Sequence, residues 1–204
     1  MDALAESGSD LARARERLVK ELREHALVIG EVTLTSGARA EYYVDAKRAI
    51  MLPEAFMALG LLVAERARSC GASAVGGVPV SAIPVACAAL AAPAPPAKMF
   101  IVRKERKEHG LQRWIEGPPL DPGERCLIVE DVVTTGGSTI EAVERVRSEG
   151  LTVAGVVSVL DRLTGGSEAI QTALGGNASY TALSTIDEIY PDRPTNQRSA
   201  SPGR

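Results

Sequence analysis

Residues 126–139 restrict the possible folds more than any other part of the chain. Cys126-Leu127-Ile128-Val129 is an unbroken apolar run that ends on two adjacent carboxylates, Glu130 and Asp131. Continuous apolar strands, as opposed to alternating ones, belong to parallel sheets covered on both faces. Val132-Val133-Thr134-Thr135-Gly136-Gly137-Ser138-Thr139 then turns into a helix predicted over 138–149. Ser138 opens that helix with Glu141 three residues on, the spacing of a capping box. An ordinary strand-turn-helix junction accounts for the turn and the cap. It does not account for two carboxylates ending a buried strand, which need partners.

The rest of the chain alternates in the same way. A helix is predicted over 11–26, with Leu11, Leu18 and Leu22 on one face and Asp10 as its cap. Two short strands, 32–34 and 42–44, flank a turn at Ser36-Gly37. Pro53 suits the first turn of a helix reaching Arg68, which Gly71 closes. A strand at 74–77, a helix at 82–91, a Pro-rich stretch to 97 and a strand at 99–102 follow. A charged loop then fills 103–117. After the 138–149 helix come a strand at 153–160, a short helix at 168–174 and a strand at 180–183. This pattern predicts an α/β fold with a mostly parallel sheet flanked by helices. Residues 191–204 are rich in Pro, Ser and Arg, and are expected to be a disordered tail.

Composition removes several function classes. The chain has 204 residues, 45% hydrophobic and only 3% aromatic, so its core is Ala, Val, Leu and Ile and no aromatic array exists to stack bases of a nucleic acid. A net charge of -3 argues against a general polyanion binder. No unbroken apolar run reaches the roughly 18 residues a membrane helix needs. Neither G-x-G-x-x-G nor G-x-x-x-x-G-K-[ST] occurs, which leaves dinucleotide-binding and P-loop readings unsupported. Cys70, Cys87 and Cys126 form no disulfide framework, and the acidic, polar start MDALAESGSD is no signal peptide, so the cytoplasm is expected. Asn177-Ala178-Ser179 is read as an idle sequon, His25 as a structural helix end, and Cys126 as core.

Each part of 130–138 has a chemical use at the C-terminal edge of a sheet, where α/β folds bind ligands. Gly136 and Gly137 let backbone N–H groups approach an anion. Thr134, Thr135 and Ser138 add hydroxyl donors, and the helix start adds partial positive charge. Glu130 and Asp131 suit sugar hydroxyls or Mg²⁺. Together these describe a phosphorylated ribose. Arg103-Lys104-Glu105-Arg106-Lys107-Glu108-His109-Gly110 carries enough positive charge to cover a polyphosphate, although by itself it also reads as a solvated surface loop. Arg162 after Leu160-Asp161 reads alone as a strand-end arginine, and Tyr42-Tyr43 as a half-buried strand pair. Trp114 either packs on the loop or lies exposed.

The segment 127–139 resembles the phosphoribosyl pyrophosphate (PRPP) motif of type I phosphoribosyltransferases. Within that superfamily, Arg103-Lys104 with Lys107 and His109-Gly110 is similar to the R-K-x-x-K-x-H-G loop of orotate phosphoribosyltransferases. Leu34-Thr35-Ser36-Gly37 with Tyr42-Tyr43-Val44-Asp45, and Leu160-Asp161-Arg162, look like two further segments of the same family. The similarity runs from about residue 22 to 189.

It implies a type I phosphoribosyltransferase fold in one domain, 1–190, with a small N-terminal hood near 22–50 and a mobile basic loop. It implies PRPP contacts by Arg103, Lys104, Lys107, His109, Glu130, Asp131, Val132, Val133, Thr134, Thr135, Gly136, Gly137 and Ser138. Lys107, His109 and Arg103 would be catalytic, stabilising the pyrophosphate leaving group. Thr134, Arg162, Tyr42 and Tyr43 would bind orotate, whose carboxylate suits a guanidinium fork. Mg²⁺ would come mainly with PRPP, near Glu130 and Asp131. The partners implied are PRPP, orotate and a second copy in a homodimer with shared active sites, with no nucleic acid and no membrane.

Two family lysines are replaced here, by Thr35 and Ser81. The rival readings are a type I transferase for a purine or uracil and a non-catalytic regulatory protein on the PRPP fold.

Overall fold

Helix-forming and strand-forming segments alternate along the chain and come together on one sheet. The computed structural model describes residues 2–33, 39–105, 113–176 and 178–193. It opens with α1 (Asp2–His25), the hairpin strands β1 (Leu27–Thr33) and β2 (Arg39–Val44), the single turn α2 (Lys47–Ile50) and α3 (Pro53–Ser69). Next come β3 (Ala74–Gly77), α4 (Ala82–Leu90), β4 (Lys98–Val102) and β5 (Ile115–Glu116). β6 (Arg125–Val133), α5 (Gly137–Ser148), β7 (Thr152–Asp161), α6 (Gly166–Leu174), β8 (Ser179–Thr185) and α7 (Ile186–Ile189) complete it.

β3 to β8 form a six-stranded sheet in the order β5-β4-β3-β6-β7-β8. All neighbours run parallel except β5, which lies antiparallel to β4. The expected mostly parallel sheet with helices on both faces is therefore what the chain builds. β1 and β2 pair separately and antiparallel, and the Asp45 N–H donates to the Ala26 carbonyl (2.9 Å), holding the hairpin base to the end of α1.

β6 shows how the continuous apolar run serves two layers. Leu127 and Val129 pack in the core built with α1, α3 and α4, whereas Cys126 and Ile128 pack in the core built with α5 and α6. Side chains alternate faces along a strand. Glu130 therefore continues the α5 face and Asp131 the opposite one, which decides their partners.

Several expectations shift. α1 begins near the chain start because Ala3, Leu4, Ala5 and Glu6 are good helix formers. Asp10 then sits inside the helix, paired with Arg13, and is not its cap. The charged loop contains β5, too short for any periodicity to reveal. The Ser36-Gly37 turn lies outside the described residues. Of the expected tail, Pro191 to Arg193 is described: Arg193 is buried, its guanidinium pairs with Asp187, and its N–H donates to the Tyr190 carbonyl (3.4 Å). The rest, 194–204, lies outside the described residues. Among the described residues no helix is long and apolar enough to cross a membrane.

The cysteines are free, with Cys126 fully buried and Cys70 and Cys87 partly so. Burial, with a smaller push from the Glu124 charge, raises the Cys126 thiol to about 12. Thiolates are the reactive form. Alkylation of the folded protein at neutral pH, followed by peptide mass spectrometry, will label Cys70 and Cys87 before Cys126. Equal labelling of all three would overturn the core assignment.

Candidate active site

Glu130 is 5% exposed and has its carboxylate enclosed by hydroxyls. Ser81, at the start of α4, donates to Oε1 (3.0 Å), and Ser138 and Thr139 of α5 donate to Oε2 (3.1 and 3.4 Å). The Asp131 N–H adds a further contact to Oε1 (3.2 Å). Burial raises the Glu130 pKa above the usual carboxylate range, and the Asp131 charge raises it further, while the hydroxyls oppose the shift. Glu130 thus ties the loop after β3 to the start of α5.

Asp131, 7% exposed, looks the other way. Its Oδ1 accepts the Val132 N–H (2.7 Å), and its Oδ2 lies 3.4 Å from the Lys47 ammonium of α2. Lys47 is held more closely by Asp45 (2.8 Å). Burial pulls the Lys47 pKa down, but the Asp45 hydrogen bond and the Asp131 and Asp45 charges outweigh it and hold it above the ordinary value.

The turn after β6 forms the expected cradle with a different cap. α5 starts at Gly137, behind Gly136 in the left-handed region (φ 80°), and no side chain caps it. Ser138 does not open a capping box, because its hydroxyl is drawn to the buried Glu130 carboxylate and Glu141 instead pairs with Arg145 (2.8 Å). Thr134, Thr135, Gly137 and Ser138 are exposed, so two threonines and the uncapped backbone N–H groups of a helix start lie at the surface, while the Ser138 hydroxyl is held by Glu130. Val132 and Val133 are spacers: Val133 is buried against the α5 core and Val132 packs against the other. The Thr164 hydroxyl donates to the Thr134 carbonyl (2.8 Å) and the Arg162 N–H to the Val133 carbonyl (3.0 Å), bracing the turn from the end of β7.

Arg162 stands beside that turn. Its guanidinium carbon lies 5.6 Å from the Tyr42 ring centroid, and Nη2 reaches the Tyr42 hydroxyl at 3.5 Å. Its Nε is buried with no hydrogen-bond partner among the described residues. Tyr42 is itself buried and edge-on to Tyr190 (5.3 Å between centroids). Tyr43, its neighbour on the strand, is 38% exposed, and only Tyr42 meets Arg162.

The basic loop is described at its neck. The Arg103 N–H donates to the Trp114 carbonyl (2.9 Å), while the Arg103 guanidinium pairs with Glu116. Arg145 of α5 covers the Trp114 ring (4.7 Å) and donates to the Arg103 carbonyl (3.1 Å), and the Trp114 N–H donates to Glu149 (2.8 Å). Trp114 therefore packs against α5. Lys104 is exposed, and neither it nor Arg103 touches the carboxylate edge in the contacts described. Lys107 and His109, with Arg106 and Gly110, lie outside the described residues, as does Thr35.

Sequence reasoning missed Lys47, Arg145, Glu149 and Tyr190. Lys47 lies 84 residues from Asp131, and nothing in local spacing announces such a pair. Among the described residues no three His, Cys, Asp or Glu side chains converge as a metal set.

Known proteins similar to this chain identify its family. The model of the phosphoribosyl transferase domain family matches residues 71–177. An orotate phosphoribosyltransferase of Corynebacterium glutamicum is 45% identical over 164 residues, covering 80% of this chain and 89% of its own. The crystal structure of Mycobacterium tuberculosis H37Rv orotate phosphoribosyltransferase in complex with Fe(III) dicitrate superposes with a TM-score of 0.78 at 40% identity, covering 87% of this chain and 99% of that one. The same enzyme in complex with PRPP gives 0.73 at 36% identity, with 86% and 98% covered. A buried strand delivering two carboxylates to an uncapped, glycine-opened helix, in a chain this similar to those proteins, belongs to the orotate phosphoribosyltransferase family of type I phosphoribosyltransferases.

Proposed function

We infer that this chain transfers the 5-phosphoribosyl group from PRPP to orotate, giving orotidine 5'-monophosphate and pyrophosphate. The observation that carries the base assignment is Arg162. A guanidinium with a buried, unpartnered Nε stands next to the cradle, and a planar carboxylate matches its fork. Uracil, adenine and hypoxanthine carry no carboxylate. The uncapped start of α5, with Thr134, Thr135 and Ser138, suits the 5'-phosphate. Asp131 suits the ribose hydroxyls, and Glu130, enclosed by Ser81, Ser138 and Thr139, holds the turn beneath them.

The base nitrogen forms a bond to the anomeric carbon as the bond to the pyrophosphate oxygen breaks, and the bonding pair leaves with pyrophosphate. The ribose passes through an oxocarbenium-like transition state. Orotate's charge is its carboxylate, so the ring nitrogen sheds its proton as the new bond forms, and the departing pyrophosphate or solvent takes it up. The chain's work is to position both substrates, stabilise the leaving charge and exclude water. Arg103, Lys104, Lys107 and His109 are the groups for the leaving pyrophosphate, with Lys107 foremost.

Mg²⁺ fits here as a cation brought by PRPP. It would bind through one or two carboxylates together with substrate phosphates; Asp131 is the carboxylate that would meet it, with Glu130 behind it enclosed by Ser81, Ser138 and Thr139. When bound it would neutralise diphosphate charge. The same reading makes the protein a cytoplasmic homodimer with shared active sites. Exposed Met51, Met57 and Leu61 are apolar area that a second copy would cover.

The test is the loss of orotate absorbance on mixing with PRPP. Loss is expected only with PRPP and Mg²⁺ both present. Faster turnover of hypoxanthine or uracil than of orotate would overturn the base assignment. Salt-sensitive binding to nucleic acid without turnover would favour the regulatory reading.

A further inference from the structure

Two carboxylates side by side at a strand end are compensated by different means. Glu130 receives hydroxyls from Ser81, Ser138 and Thr139 and one backbone N–H. Asp131 receives one backbone N–H, from Val132, and the Lys47 ammonium. The ammonium does not depend on Asp131 for its place. Asp45 holds it at 2.8 Å, against 3.4 Å to Asp131, and Asp45 is in turn fixed by its own N–H on the Ala26 carbonyl and by the Lys47 N–H on its Oδ1 (3.2 Å). The N-terminal hairpin and α2 thus carry a cation to the catalytic edge in advance. An ammonium has three donors, and the two carboxylates use two of them.

We propose that Lys47 is a positioning residue on the PRPP side of the reaction. It fixes the Asp131 carboxylate through Oδ2, so that Asp131 meets the ribose hydroxyls of PRPP in one orientation, and it couples the N-terminal hairpin to that edge. The proposal deepens the functional reading above and rests on it for the identity of the sugar phosphate. The ammonium remains beside Asp131 when a ribose hydroxyl replaces it on Oδ2, because Asp45 retains it. Its charge also offsets the second of two adjacent carboxylates where a neutral donor would not.

The experiment is a double-mutant cycle read by calorimetric PRPP binding in the absence of any base, with steady-state kinetics alongside. Lys47→Ala is expected to weaken PRPP binding about 5- to 30-fold, the range of a contact worth one to two kcal/mol. The orotate KM should stay within about threefold, and Lys47→Arg should restore most of the loss. Asp131→Asn alone will also weaken PRPP, and adding Lys47→Ala to it will cost little more, because residues acting through one contact are non-additive. Thermal melting of each variant separates folding from binding.

Additive losses in the cycle, or an orotate KM that rises as far as that for PRPP, would overturn the role of Lys47. Binding of PRPP with the expected cycle, but no turnover of orotate, would overturn the functional reading alone. No binding of PRPP by the unmodified protein would overturn both.

Discussion

Replacing Arg162 with alanine will lower kcat/KM for orotate by about 30- to 5,000-fold and leave PRPP binding within a few fold. Truncating one partner of a desolvated, hydrogen-bonded charge pair costs about 2–5 kcal/mol, and each 1.36 kcal/mol is tenfold in rate. Arg162 fits that case. Its Nε is buried without a partner among the described residues, and its one described side-chain hydrogen bond, to the Tyr42 hydroxyl, is long at 3.5 Å. An orphan buried donor costs about 1–3 kcal/mol, and a carboxylate on this guanidinium would supply the partner it lacks.

Arg162→Lys keeps the charge and loses the planar fork, so it will recover only part of the activity. Tyr42→Phe will cost far less, since the ring stays edge-on against Tyr190 and only the long hydroxyl contact goes. Steady-state kinetics with each substrate varied in turn will decide. An Arg162→Ala enzyme that loses PRPP affinity as severely as orotate affinity would place this arginine on the phosphate side and remove the argument for orotate.

Much of this architecture is legible in the residues, for reasons that differ by element. The 126–129 run gives a central strand because only a strand covered on both faces needs four consecutive apolar side chains. Pro53 and the apolar spacing after it give α3 within one residue of its observed end, Ser69. The candidate site is legible as a place, since two adjacent carboxylates near the C-terminal end of a buried strand, β6, need partners there.

The division of labour between those carboxylates is not legible. Strand alternation sends Glu130 toward α5 and Asp131 toward α2. Their partners, Ser81 and Lys47, lie 49 and 84 residues away, on elements whose approach depends on the whole sheet. Ser138 illustrates a local rule overridden by tertiary structure. Its spacing to Glu141 matches a capping box, but a buried carboxylate competes for its hydroxyl. The capping box the protein does form, Thr185 with Glu188, starts a four-residue helix too short to signal itself.

The second large effect is on the cradle itself. Gly136→Ala will lower the melting temperature by roughly 4–20 °C and weaken PRPP binding as well. Gly136 has φ 80°, where a Cβ is strained, and an added Cβ would sit 2.9 Å from both the Gly166 carbonyl oxygen and Ile170 Cγ1. The left-handed backbone costs an L-residue about 1–2 kcal/mol, and overpacking typically costs about 1–3 kcal/mol. A destabilisation of roughly 2–5 kcal/mol follows, at about 2–4 °C each for a chain of this size. Relief cannot come from the α6 side, because Gly166 is already locked there: a Cβ on it would lie 2.4 Å from the Thr134 carbonyl oxygen. The turn must therefore give way, and it carries the N–H groups of Gly137 and Ser138 with it. Gly123 supplies the control. It has nearly the same backbone, φ 78°, with nothing within 4 Å of an added Cβ. Gly123→Ala should thus show the strain without the clash, a smaller loss of melting temperature and unchanged PRPP binding. If calorimetry and thermal melts find the two variants alike, the tight packing between Gly136 and Gly166 is not what shapes the phosphate cradle.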